Sequence, residues 1–136
     1  MSEELPIVIR PMRADDVAFV RNSWARSYAE AQSLHPQDVR GHVEGHLRLI
    51  DRILARADVL VAAFAEDDSE IFGWVCHDPE ALHYAYTKAA YRRSGVARRL
   101  LEEVGPREVT THRTLIRHIP RLTALRFEPY RVFEVT

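Results

Sequence analysis

Residues 82–104, LHYAYTKAAYRRSGVARRLLEEV, decide the reading of this chain. An alternating segment with strand character, residues 82–87, runs into a glycine turn flanked by arginines. That turn opens directly into an amphipathic helix extending to about Val104, which Gly105 and Pro106 stop. The first amides of a helix have no partner within it, and the helix dipole adds partial positive charge there. Such an end is suited to an anion, most often phosphate or pyrophosphate. Arg92, Arg93, Arg98 and Arg99 bring cations to the same place, and Gly95 lets the backbone approach a ligand closely.

Working outward, the chain reads as one domain, residues 1–136, long enough for a hydrophobic core. Its net charge of −1 argues against a general electrostatic role on nucleic acid. The charge is uneven, with acids clustered at 66–70 and arginines crowded between Arg92 and Arg131. A local basic surface for one anionic ligand is therefore expected. The single cysteine, Cys76, excludes an internal disulfide framework and points to a reducing, cytoplasmic setting. No apolar run reads as a signal peptide or as a membrane span, so no membrane partner is expected.

Residues 7–10 form a short β-branched strand that Pro11 ends. Asp15 and Asp16 favour a helix start, and Val17, Val20, Trp24 and Tyr28 recur as one helical face. His35 and Pro36 break the chain, and Asp38 opens a second helix with Val39, Val43, Leu47, Ile50 and Leu54 as its stripe. Residues 58–65 (DVLVAAFA) read as a buried strand, 67–69 as a turn and 71–77 as the hairpin partner. Asp78 and Pro79 turn the chain into the strand at 82–87. After the third helix, 108–111 reads as a short strand, 114–125 as a helix kinked or delayed by Pro120, and 127–135 as a final strand. The order β-α-α-β-β-β-α-β-α-β predicts an α+β fold, a mixed and mainly antiparallel sheet with helices on both faces.

This order, with Arg92, Arg93, Ser94, Gly95, Val96 and Ala97 in the pattern Arg-x-x-Gly-x-Ala, resembles the GNAT superfamily of acyl-CoA-dependent N-acyltransferases. The resemblance covers most of the chain, and residues 23–28 (SWARSY) are also similar to small phage-encoded members. It implies acetyl-CoA as co-substrate, an amine as acceptor, and direct attack without an acyl-enzyme. It further implies that the turn, Arg92 to Ala97 with Arg98, holds the CoA pyrophosphate, while Tyr86, Thr87 and Lys88 pair with the pantetheine arm. The chain departs from the pattern where many members carry an acidic tyrosine and a glycine, since Leu122 and Arg126 stand there. Thr110 stands where several members place a basic glutamate.

Acyl transfer to an amine needs a destination for the amine's proton. His83 is the candidate base: imidazole titrates near neutrality, a strict alternation puts His83 on the face of Thr87, and an arylalkylamine branch of the resembled family has a working histidine at the matching place. Tyr130, just beyond the Phe127 segment, is the candidate acid for the leaving thiolate. Trp24, Tyr28 and Glu30 are candidates for the acceptor side. Cys76 reads as a small core residue, not a nucleophile. His42 and His46 have metal-ligand spacing but no third ligand, so no metal is expected, and His112 and His118 show no spacing that assigns them a role. Two other readings stay open: a CoA-binding protein on the same fold without transfer activity, and an interaction or nucleic-acid-directed protein that reuses the fold, against which the near-neutral charge counts; a homodimer is compatible with any of them.

Overall fold

The computed structural model describes residues 6–31, 36–112 and 126–128. The first four strands run antiparallel in chain order. β1 (Ile7–Pro11) pairs with β2 (Asp58–Phe64), β2 with β3 (Asp67–His77), and β3 with β4 (Ala81–Thr87). β5 (Val109–Thr110) lies parallel to β4, and β6 (Arg126–Phe127) parallel to β5, completing the sheet order β1-β2-β3-β4-β5-β6. The sheet is mixed and mainly antiparallel, as the element order predicts. The expected helix at 114–125 and most of the expected strand at 127–135 lie outside the described residues.

α1 (Val17–Ala31) follows a single 3-10 turn at Ala14–Asp16, and α2 (Pro36–Leu54) packs beside it on one face of the sheet. α3 (Val96–Val104) covers the other face. Two apolar cores result. Val20, Trp24, Ile50 and Ile53 pack on Val59, Val61, Ala63 and Trp74. On the opposite face Val96, Leu100 and Leu101 pack on Ala62, Phe72, Val75 and Leu82. A central strand covered on both faces needs apolar residues at nearly every position, which is why β2 reads DVLVAAF without alternation. Each large side chain so buried contributes about 1.5–3 kcal/mol.

Three boundaries differ from the sequence reading. Pro11 is the last residue of β1, opposite Leu60, where an edge strand tolerates a missing donor. α2 begins at Pro36 rather than Asp38, because proline's fixed φ and absent amide suit the first turn of a helix. The β2–β3 turn falls on residues 65–66, and residues 67–70 form the exposed start of β3 instead of the turn itself.

A buried ion pair fixes how β1 meets α1. Arg10 reaches Asp16 through both terminal nitrogens, at 2.6 and 3.1 Å, and also donates to the Asp68 carbonyl at 2.7 Å. Asp16 accepts the Arg13 amide as well, at 2.7 Å, so one carboxylate ties the strand end to the turn that starts the helix. The hydrogen bond from Arg10 holds the Asp16 carboxyl below its ordinary 3.8 against the opposing effect of burial.

Candidate active site

β4 and β5 pair only through Ala81–Val109 and Leu82–Thr110, although β4 continues to Thr87. From Ala85 onward no strand among the described residues pairs with that edge of β4. That edge leads straight into the arginine-flanked turn. Lys88 is held there by its amide, which donates to the Phe72 carbonyl at 2.9 Å, and its ammonium sits 5.1 Å from the Phe19 ring centre. Arg92 folds back to donate to the Thr87 carbonyl at 3.2 Å.

Two residues of the turn are left-handed, Arg93 at φ 69° and Gly95 at φ 83°. Glycine takes such a φ without cost, whereas an arginine there is strained. Strain of this kind is a feature of ligand-holding turns. The first hydrogen bond of α3 runs from the Arg99 amide to the Gly95 carbonyl at 3.0 Å. The amides of Val96, Ala97 and Arg98 therefore precede the helical ladder and face its open N-terminal end. Gly73 of β3 sets this helix close to the sheet: a Cβ there would lie 2.5 Å from the Tyr86 carbonyl oxygen and 3.1 Å from Val96 Cγ1. The structure thus gathers Tyr86, Thr87, Lys88, Arg92, Arg93, Ser94, Gly95, Val96, Ala97 and Arg98 at one place.

His83 has a different setting from the one that its sequence position implies. Cys76 pairs with Tyr84 and His77 with Leu82, so His83 is the extra residue of a β-bulge. The bulge breaks the alternation on which the shared face with Thr87 depends. Leu82 and Ala85, three apart, consequently face the same α3 side. The His83 side chain is wholly buried, with Nε2 3.0 Å from Asp78 Oδ2 and Nδ1 2.9 Å from Thr111 Oγ1. Thr111 Oγ1 lies 2.9 Å from His112 Nδ1 in turn.

His112, which sequence spacing leaves without a role, is thus joined to the candidate base. Its ring centre lies 5.4 Å from Trp24, 5.2 Å from Tyr28, 5.5 Å from Tyr84 and 5.5 Å from His46. Burial foremost, with His46 and His83 nearby, pushes its pKa down to about 3, so the ring is neutral. Sequence reasoning missed Asp78, Thr111 and His112 because they come from a turn and from the end of a two-residue strand, where no periodicity marks a side chain's direction.

Trp24 is a core residue and not an exposed wall: its ring stacks on Tyr84 at 5.3 Å and lies 5.4 Å from Trp74. Tyr28 is half-buried and stacks on His46 at 4.4 Å, while Glu30 is exposed. Ser23 and Ser27 lock α1 to the sheet by accepting the Trp74 indole N–H at 2.9 Å and by meeting the Tyr84 hydroxyl at 2.9 Å. Thr110, at the expected glutamate position, is buried with its hydroxyl 3.3 Å from the His112 carbonyl. Cys76 is buried and its thiol pushed well up by desolvation, the wrong direction for a nucleophile. No group of three metal-ligating side chains occurs among the described residues. Tyr130 and Leu122 lie outside the described residues.

This architecture, a mixed sheet in which β4 outruns β5 and ends in an arginine-flanked turn that opens α3, is the GNAT fold. Solved structures share it. The chain resembles a GCN5-related N-acetyltransferase from Rhodopseudomonas palustris with a TM-score of 0.56 at 16% identity, covering 76% of this chain and 66% of that one. It resembles YjaB from Escherichia coli with a TM-score of 0.55 at 21% identity, covering 72% and 63% of the two chains. The PaiA N-acetyltransferase from Thermoplasma acidophilum, solved in complex with coenzyme A, matches with a TM-score of 0.50 at 20% identity over 71% and 68%. The matched part spans just under two thirds of the first two proteins. No protein-family model and no curated protein matches the sequence.

Proposed function

We propose that the chain is an N-acetyltransferase that moves an acetyl group from acetyl-CoA to an amine by direct attack. The observation that carries this reading is the doubly left-handed turn at Arg93 and Gly95, opening α3 beside the stretch of β4 that outruns β5. The amides of Val96, Ala97 and Arg98, with Ser94 and the cations of Arg92, Arg93 and Arg98, suit a pyrophosphate. The edge from Tyr86 to Lys88 suits the amide-bearing pantetheine arm, and a backbone amide there would polarise the thioester carbonyl. The Thermoplasma neighbour's coenzyme A supports the choice of ligand.

In this mechanism the neutral amine attacks the thioester carbon, the C–N bond forms, and the C–S bond breaks with its electron pair leaving on CoA sulfur. His83 stores the amine's proton; being sealed from solvent, it receives it through other groups. Tyr130 is the candidate donor to the thiolate, although a thiol of ordinary pKa near 8.5 leaves readily with little assistance. The lone buried cysteine and the need for acetyl-CoA suit a cytoplasmic setting. The test is calorimetry with CoA, together with thiol release from acetyl-CoA in the presence of benzylamine, spermidine, kanamycin and an alanine-terminated tetrapeptide. CoA binding with amine-dependent thiol release is expected. Binding without release for every amine would assign the chain to CoA binding alone, and absence of binding would end the reading.

A further inference from the structure

A buried hydrogen-bond chain crosses the point where β4 and β5 part. Asp78 Oδ1 accepts the amides of Glu80 and Ala81 at 2.8 and 2.9 Å, and Oδ2 meets His83 Nε2 at 3.0 Å. A carboxylate in that position only accepts, so the hydrogen belongs to His83 Nε2. With the His83 ring taken as neutral, Nδ1 is the acceptor and Thr111 donates its hydroxyl hydrogen to it across 2.9 Å. The Thr111 oxygen takes the hydrogen of His112 Nδ1, also at 2.9 Å. In this assignment every donor points the same way, towards Asp78. The chain ends on His112 Nε2, a lone-pair nitrogen in a ring surrounded by residues of α1, α2 and β4.

We propose that these residues are a proton wire: His112 Nε2 takes the proton of the attacking amine, Thr111 relays it, and His83 stores it against Asp78. The inference rests on the acetyl-transfer reading above and deepens it by naming the group that meets the acceptor. When the C–N bond has formed, the N–H proton moves to His112 Nε2. His112 Nδ1 passes its own hydrogen to Thr111 Oγ1, whose former hydrogen goes to His83 Nδ1. His112 is neutral again with its hydrogen on Nε2, and His83 is an imidazolium beside the Asp78 carboxylate. The proton later returns along the same path to the CoA thiolate or to water, so nothing is left over.

The surroundings of His112 fit a group that hands a proton on. Among the described residues the titratable groups facing it are Tyr28 from α1, His46 from α2, and Tyr84 and His83 from β4, with Asp78 behind His83. Burial and the two other imidazoles disfavour charge on His112, against the His83 backbone carbonyl, which favours it. His83 has the Asp78 carboxylate in contact with its ring. His112 is the catalytic residue of this scheme; Thr111, His83 and Asp78 act through it.

The link that can be cut with least change of shape is Thr111. Serine keeps a hydroxyl that both accepts and donates; valine keeps the shape and loses it. In Thr111→Val, CoA affinity should stay at the wild-type value while turnover of the best amine of the panel falls by about 10²-fold. The shape of its pH–rate curve should also change, and Thr111→Ser should restore both. Should Thr111→Val fail to fold, nitrogen-15 NMR of the wild-type histidines at neutral pH decides, with His83 expected as the Nε2–H tautomer and His112 as the Nδ1–H tautomer. Wild-type rate and pH curve in Thr111→Val, or His112 found as Nε2–H, overturns the wire alone. No turnover by the wild type despite CoA binding overturns the transfer reading and the wire's use with it.

Discussion

Replacing Gly73 by alanine tests how the fold builds the cofactor side of the site. The added Cβ would lie 2.5 Å from the Tyr86 carbonyl oxygen, whereas ordinary contact begins at 3.4 Å, so about 0.9 Å must be found. The obstacle is the backbone of β4, which the β3 ladder holds in register through Trp74–Tyr86 and Gly73–Thr87. Val96 Cγ1, 3.1 Å from the same Cβ, resists movement in the other direction. Overpacking against such neighbours costs about 1–3 kcal/mol. With a urea m-value of about 2 kcal/mol/M, a 2 kcal/mol loss lowers the unfolding midpoint by about 1 M. The displacement also falls on the strand end and helix start that would hold CoA, where a shift of about 1 Å can cost on the order of 10²-fold in function. CoA affinity by calorimetry should therefore drop by more than the stability loss alone explains, in protein that is still folded. Gly45→Ala in α2, where nothing lies within 4 Å, is the control and should raise stability by up to about 1 kcal/mol. A Gly73→Ala protein with the wild-type urea midpoint and wild-type CoA affinity would refute the close approach.

Asp16→Asn removes the charge opposite buried Arg10 and should cost about 3 kcal/mol by urea unfolding. The native Asp16 carboxyl lies below its ordinary 3.8, so this stabilisation is complete above about pH 3.8 and is lost as pH falls through the native value; the variant should lack that part of the acid-unfolding slope. Gly95→Val puts a branched side chain at φ 83°, where L-residues are strained by about 1–2 kcal/mol, and CoA binding should disappear in calorimetry. Arg92→Ala, at an exposed cation, should weaken that binding by only about 0.2–1 kcal/mol, and a larger loss than in Gly95→Val would reverse the ranking of backbone over charge.

The sequence by itself determined the α+β order, the sheet's mainly antiparallel character and the position of the turn. These follow from local physics: two-residue and three-to-four-residue apolar periods, prolines and glycines that end elements, and arginines crowded around Gly95. It also marked His83 as the residue to watch. Tertiary structure alone decided the setting of His83. A one-residue bulge, invisible to alternation, turns its ring away from the expected face and into contact with Asp78 and Thr111. Thr111 and His112 reach it across 28 and 29 residues of chain, because β5 crosses over to lie beside β4. Strand pairing between distant segments carries no local signature, so the residues joined at the parting of β4 and β5 become neighbours only when the sheet forms.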